Sequence, residues 1–177
     1  MHKSNLPPHH PYLTQYINLV AQEELLDALK HSLEFLSSLT IAPFQEKENY
    51  AYAEGKWTVK EVLQHIIDTE RIMAYRALRF SRMDATEIPG FDENTYSDHS
   101  FAIKRSMQSI LDELVFLRKS TIALYESFKE EQLLFLGTAN GNKNCAATLG
   151  FFIIGHALHH FNVLQNRYGI NFRYSQV

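Results

Sequence analysis

The chain has 177 residues, of which 45% are hydrophobic and 21% charged, and its net charge is −3. A single core serves roughly 100–200 residues, so one domain is expected. This composition excludes a mainly disordered chain and, with no basic excess to neutralise phosphates, argues against nucleic acid as a partner. No run of about 18 apolar residues is present to span a bilayer, so no membrane association is expected. The single cysteine, Cys145, leaves no intrachain disulfide and no multi-cysteine metal site. With no apolar leader pattern in the first residues, the expected compartment is the cytoplasm.

Residues 1–11 are polar and contain Pro7 and Pro8, so they are expected to form a flexible N-terminal segment ahead of a single helical domain over 12–177. The first long helix is expected over about 22–39, where Leu25, Leu26, Leu29, Leu33 and Leu36 form an apolar stripe. Pro43 lies beyond its end. The second starts at Thr58, because Thr58-Val59-Lys60-Glu61 is a capping-box pattern in which Thr58 and Glu61 satisfy early backbone donors. It fades near Met83, before Pro89-Gly90. The third is expected over about 100–128 on the stripe Ile103, Met107, Ile110, Leu114, Leu117, Tyr125 and Phe128. Residues 137–144 read as a loop around Asn140-Gly141 with room for a short hairpin. The fourth helix, about 146–168, is apolar nearly all round and should be the most buried, with Gly169 as its C-terminal cap.

Four such helices indicate an all-α four-helix bundle. The link over 84–97 is about 14 residues, enough to reach ~45 Å, whereas a 25-residue helix is ~38 Å long. It can therefore cross the whole bundle and set the second and third helices parallel.

Nine histidines are many for this length. His2, His9 and His10 fall in the polar N-terminal stretch, His31 among charged neighbours, and His99 ahead of the third helix, where it can help cap it. His65, His156, His159 and His160 remain. Residues four apart on a helix differ by about 40° and rise about 6 Å, so His156 and His160 share a face. Their stripe continues through Leu149, Ile153, Val163 and Leu164 and points inward. His156 with His159, three apart, is the competing pair, but the His159 stripe, through Phe152, Gly155, Asn162 and Asn166, is more polar and makes His159 a residue of the rim or one that supports the ligands from behind. His65, beside Ile66 on the apolar face of the second helix, is a candidate third ligand. Three imidazoles leave a coordination position open for water or substrate, which is the mark of a catalytic site. The competing reading is a pair of core histidines satisfied by hydrogen bonds.

The run from Lys56 to His65 (Lys-Trp-Thr-Val-Lys-Glu-Val-Leu-Gln-His), continued by Asp68, Glu70 and Arg71, resembles the second-helix signature of the DinB-like (DinB/YfiT) superfamily. The crossover Gly90-Phe91-Asp92-Glu93-Asn94-Thr95-Tyr96, the Gly137–Gly141 run and Gly155-His156-Ala157-Leu158-His159-His160 resemble it in the same order, so the resemblance spans about residues 12–168. It implies a four-helix bundle with a long crossover between helices two and three. It also implies a divalent metal held by one histidine of the second helix and an H-x-x-x-H pair of the fourth, which map onto His65, His156 and His160. Relatives include enzymes that use the metal with a low-molecular-weight thiol, as S-transferases or isomerases, and others called metal-dependent hydrolases.

Imidazole ligands suit several transition metals, and zinc or nickel is the expected ion. Glu61 and Asp68, one turn either side of His65, are candidates to accept the other ring N–H of a ligating histidine. The alternative is that both are ordinary helix charges. Arg76, Tyr96 and Arg167 are candidates to orient an anionic small-molecule substrate. Trp57 reads as a core anchor, and Cys145 as a buried thiol at a helix start. The family resemblance favours activation of a thiol over hydrolysis, and Ala157, standing where H-E-x-x-H proteases carry their general base, leans the same way. A metal-dependent hydrolase and a non-catalytic stress-response metal-binding module are the alternatives. The 12 Phe and 9 Tyr are more aromatic residues than one small core needs, so a homodimer is expected.

Overall fold

The structure, a computed structural model, describes residues 1–172, so 173–177 of the expected domain lie outside the described residues. The helices are α1 (Pro11–Ile17), α2 (Leu25–Ser38), α3 (Ala42–Gln45), α4 (Val59–Ser81), α5 (Glu93–Ser100), α6 (Met107–Glu126), α7 (Glu130–Leu134) and α8 (Ala146–Tyr168). One antiparallel hairpin, β1 (Gly137–Ala139) and β2 (Asn142–Asn144), turns through Asn140 and Gly141. Both turn residues have positive φ, at 50° and 72°, as a two-residue hairpin loop of this kind requires.

The long helices α2, α4, α6 and α8 form the bundle. Each start is fixed by local chemistry where the sequence offers it. Thr58 Oγ1 accepts from Glu61 N while the Glu61 carboxylate accepts from Thr58 N, completing the capping box of α4. Ser106 caps α6, and Gly169 ends α8 in the left-handed conformation.

Side-chain pairs give the directions. Arg105 donates to Gln64, Arg71 pairs with Glu113 and Arg118 with Glu70, so residue numbers on α4 and α6 rise together and the two helices run parallel. Tyr168 Oη donates to the Trp57 carbonyl while His65 meets His156, so α8 runs antiparallel to α4. The crossover therefore spans the bundle, as the link length allows. It is not a plain linker, however. It contains α5, which Asp92 caps and Phe101 closes at φ 51°, so the third bundle helix begins at Met107 rather than near residue 100. His99 bonds the Thr95 carbonyl within α5 and does not cap α6.

A buried ion pair locks the parallel register. Arg118 grips Glu70 through Nε and Nη2, both at 2.9 Å, Thr121 donates to the same carboxylate at 2.7 Å, and Arg118 also reaches Ser32 on α2. Both charges are almost fully buried. Such a pair costs several kcal/mol to desolvate per ion, and a misregistered helix would leave it unpaired, so it selects one alignment strongly.

Apolar residues form two clusters that meet along α8: Phe151–Ile154 and Leu158 belong to one, Ala157, Phe161 and Leu164 to the other. Among the described residues α8 alone has the length and hydropathy to cross a membrane, and most of it is buried inside the bundle. The first residues are tied to the segment that leads into α2. The Met1 amino group bonds Glu24 at 2.9 Å, Lys3 N donates to the Glu23 carbonyl at 2.8 Å, and Met1 and Leu6 pack on the core.

Helix α1, which the sequence reading did not separate out, crosses α8 at Gly155. A Cβ there would lie 2.0 Å from the Tyr16 carbonyl oxygen. Gly155→Ala gains about 1 kcal/mol of helix propensity but drives a methyl into backbone, with overpacking costing about 1–3 kcal/mol. The expected outcome is a lower melting temperature and a displaced α1, read by thermal denaturation and by proteolysis after Tyr16. An unchanged melting temperature would contradict the close crossing.

Candidate metal centre

The seam between the two core clusters holds three histidines. His65 comes from α4, two turns past the capping box, and His156 and His160 come from consecutive turns of α8. His156 Nε2 lies 3.0 Å from His65 Nε2 and 3.1 Å from His160 Nε2. The donor atoms of all three lie within 4.8 Å of one another. An imidazole nitrogen carries either one hydrogen or one lone pair. His156 Nε2 can therefore make a good hydrogen bond to one of its two neighbours and leaves the other contact unfavourable. A shared cation removes that conflict. Nitrogens about 2.0–2.1 Å from one zinc, at tetrahedral to right angles, sit ~2.9–3.4 Å apart, and the observed separations fall in that range. The donor set therefore fits a divalent transition ion.

The surroundings keep the rings neutral. Burial lowers the His65 pKa to about 4 and that of His160 to about 3, with the neighbouring histidines adding to the effect at His160. Burial, then repulsion from His160, His65 and His159, pushes His156 well down. Metal binding needs unprotonated imidazoles, and these are unprotonated at neutral pH. Trp57 packs on His65 with centroids 4.7 Å apart, Phe152 on His156 at 5.4 Å, and Tyr16 on both His156 and His159 at 5.7 and 5.3 Å. Trp57, expected as a core anchor, is thus a wall of the site.

The other expected site residues are used elsewhere. The carboxylate of Glu61 is occupied by Thr58, whose backbone N and Oγ1 donate to it at 2.7 and 2.8 Å. Asp68 accepts from Gln64 at 2.9 Å, on the face of α4 turned to α6, and burial raises its pKa. Neither carboxylate is bonded to a ring of the triad among the described residues. His159 is half-buried at the rim, edge-on to Tyr16 and His160. Cys145 is buried, with Thr148 N and Oγ1 against its sulfur.

A cavity of about 250 Å³ opens beside His65 and His156. Its walls are one face of α4 (His65, Thr69, Met73, Arg76), Leu149 and Phe152 of α8, α1 with its cap His10, the hairpin, and Gly90, Phe91 and Glu93 of the crossover. The crossover is held there by Ile88, which bonds Thr138 and Asn140 across the hairpin, and by Arg76 Nη2 on the Pro89 carbonyl. A second cavity of about 230 Å³ reaches His160 from the side of Trp57 and Tyr168, and Glu93 borders both. Of the candidates to orient an anion, Arg76 lines the main cavity, whereas Tyr96 packs on Phe91 outside it and Arg167 is exposed near the end of α8. Glu93, Tyr16 and Asn144 were not singled out from sequence. The Pro11 start and the Leu13, Tyr16, Ile17 spacing could have revealed α1, and the Asp92 cap could have revealed α5.

The family model described as the DinB superfamily matches residues 24–164. The chain belongs to the DinB superfamily. Its fold is also that of YfiT from Bacillus subtilis, described as a probable metal-dependent hydrolase with an unusual four-helix bundle topology. That structure is similar at a TM-score of 0.61 and 19% identity, with 90% of this chain and 89% of the YfiT chain covered. No curated protein matches the sequence. In this DinB-superfamily chain, as the family resemblance implied, the second-helix histidine and the H-x-x-x-H pair converge.

Two outcomes follow for this site. His65→Ala or His160→Ala should weaken binding of zinc or nickel by at least about tenfold, while His159→Ala changes it little, as read by competition with a chromogenic chelator. Equal affinity across the three variants would refute the triad as the binding site. For metal-free protein, the folded pKa values near 4 and 3 lie below the ordinary 6.5, so between these values the unfolded chain binds more protons. Stability is then greatest above about pH 6.5, falls as the pH drops toward 4, and levels off below about 3. Urea denaturation should show this slope in wild type and a shallower one in His160→Gln. Identical slopes would contradict it.

Proposed function

We propose that the protein is a metal-dependent hydrolase acting on a small amide or ester, with one divalent cation held by His65, His156 and His160. The observation that carries this reading is the convergence of three neutral imidazole nitrogens, two of them, on His65 and His156, in the wall of a cavity. The description of YfiT supports it as a fold relative. A cation bound there would supply a lowered pKa for a water ligand and polarisation of a carbonyl.

The chain supplies the rest. The three rings fix the nucleophile's position at one end of the cavity, Phe152 and Leu149 exclude bulk water from the reacting bond, and Arg76 and Asn144 line the opposite region. Glu93, which borders both cavities, provides the carboxylate that accepts a proton during attack and returns it to the leaving group. This role answers the absence of a glutamate after His156, because the base comes from the crossover instead of α8.

One observation favours a second reading. The triad is reached by two cavities, one at His65 and His156 and one at His160, which suits a two-substrate reaction in which a low-molecular-weight thiol enters one and its electrophile the other.

Zinc-loaded protein is expected to cleave members of a panel of small esters and amides, with rates that fall at least about 100-fold in His65→Ala and about 10-fold or more in Glu93→Gln. Metal-dependent conjugation of small thiols to an electrophile, without hydrolysis, would establish the second reading. Silence in both panels from folded, metal-loaded protein would leave a non-catalytic metal-binding module.

A further inference from the structure

Arg76 presents an electrostatic anomaly. It is 7% exposed, and an arginine cannot shed its charge when buried. Burial lowers its pKa, and no carboxylate lies within 4 Å of its guanidinium among the described residues. Its partners are the Pro89 carbonyl on Nη2 at 3.0 Å, the Met73 sulfur on Nη1 at 3.7 Å, and the Phe91 ring at 5.9 Å. Nε has no partner. The same protein shows how a buried arginine is normally accommodated: Arg118 offers the Nε–Nη2 edge to Glu70 and makes two bonds of 2.9 Å. On Arg76 that edge carries a single backbone carbonyl.

The anomaly sits in the cavity. Four buried side-chain polar atoms lack a hydrogen-bond partner among the described residues, and three of them, Thr69 Oγ1, Arg76 Nε and Asn144 Oδ1, belong to residues that line it. Unmet polar capacity concentrated just beneath one cavity wall marks a place where a ligand completes the bonding once these side chains turn toward it. Among the described lining residues Arg76 is the one permanent cation. Glu93, the one carboxylate, is exposed at the rim and pairs with no arginine there.

His65, Thr69, Met73 and Arg76 fall at positions i, i+4, i+8 and i+11 of α4, so they share one face along ~16 Å of helix. Arg76 leans back along that face to Met73. The cavity thus has a cationic end at Arg76 and a triad end at His65 and His156.

We propose that this cavity binds a small organic carboxylate, its carboxylate on Arg76 and its scissile group toward the triad. The Nε–Nη2 edge is the fork that carboxylates fit bidentately; it lies beneath the wall with Nη2 on the Pro89 carbonyl, so the guanidinium turns from that carbonyl as the ligand enters. The volume of about 250 Å³ is that of about eight water molecules in the liquid, which limits the enclosed part of the ligand to a few carbon atoms beyond its carboxylate. The substrate class of the hydrolase reading becomes a short acyl or amide derivative bearing a free carboxylate. This inference rests on that reading only for the triad end; the Arg76 end stands without a metal.

The test uses N-acetylglycine as probe, with N-acetylglycinamide as its uncharged isostere and inorganic phosphate as a competing oxyanion. Binding is titrated by calorimetry on chelator-stripped full-length protein, wild type and variants alike, then repeated after zinc loading. The expected result is saturable N-acetylglycine binding, at least about tenfold weaker binding of the amide, and loss of that discrimination in Arg76→Gln. Arg76→Lys, which keeps the charge without the fork, should recover part of it. Because Arg76 is uncompensated without ligand, Arg76→Gln should melt no lower than wild type, whereas a purely structural arginine would make it melt lower. Equal affinity for the acid and the amide in wild type overturns the proposal, and needs no variant. Tighter binding of phosphate than of N-acetylglycine overturns it in favour of a phosphate site. Carboxylate binding in a protein that takes up no zinc at the histidines would uphold the proposal and refute the metal-dependent reading instead.

Discussion

Two close contacts at one nitrogen organise this molecule. His156 Nε2 faces two other imidazole nitrogens at 3.0 and 3.1 Å, and it has one hydrogen or one lone pair to offer them. A bundle that only needed a stable core would fill this seam with leucine. Here three polar rings are drawn together, desolvated and kept neutral, which is favourable when a cation is shared among them and costly otherwise.

The fold supplies that convergence through choices that look unrelated in sequence. Parallel α4 and α6, locked by Glu70 and Arg118, force the chain between them to cross the bundle, and this crossover delivers Gly90, Phe91 and Glu93 to the cavity. Antiparallel α4 and α8 bring His65 level with His156. Gly155, next to His156, lets α1 approach until Tyr16 stacks beside the rings. The hairpin holds the crossover through Ile88 and contributes Asn144. The same architecture leaves Arg76 buried without a counter-charge among the described residues, so the stability cost lies at the cavity, where a ligand can offset it.

Much of this was legible because it is local. The Thr58–Glu61 box, the Gly169 cap, and the inward stripe of His156 and His160 depend on residues within a few positions of each other, and each appears where the spacing put it. The parallel crossover was permitted by the length of the link and implied by the family resemblance. What failed was the assignment of roles set by tertiary neighbours. Glu61 sits one turn from His65, yet the helix start claims its carboxylate, and Asp68 turns toward Gln64 and α6. Arg76, Glu93 and Asn144 come from a helix, a crossover and a strand, and no spacing rule joins them. Of the short helices, α1 was left unassigned and most of α5 was read as link, because a stripe of two or three apolar residues carries little periodic signal.

The most direct measurement is X-ray absorption at the zinc edge of protein loaded with one equivalent of zinc. The account predicts a first shell with about three imidazole nitrogens at roughly 2.0–2.1 Å, the remaining position filled by a light atom from solvent. A shell of carboxylate and water oxygens with fewer than two imidazoles would contradict it, because the ion would then lie outside the histidine triad.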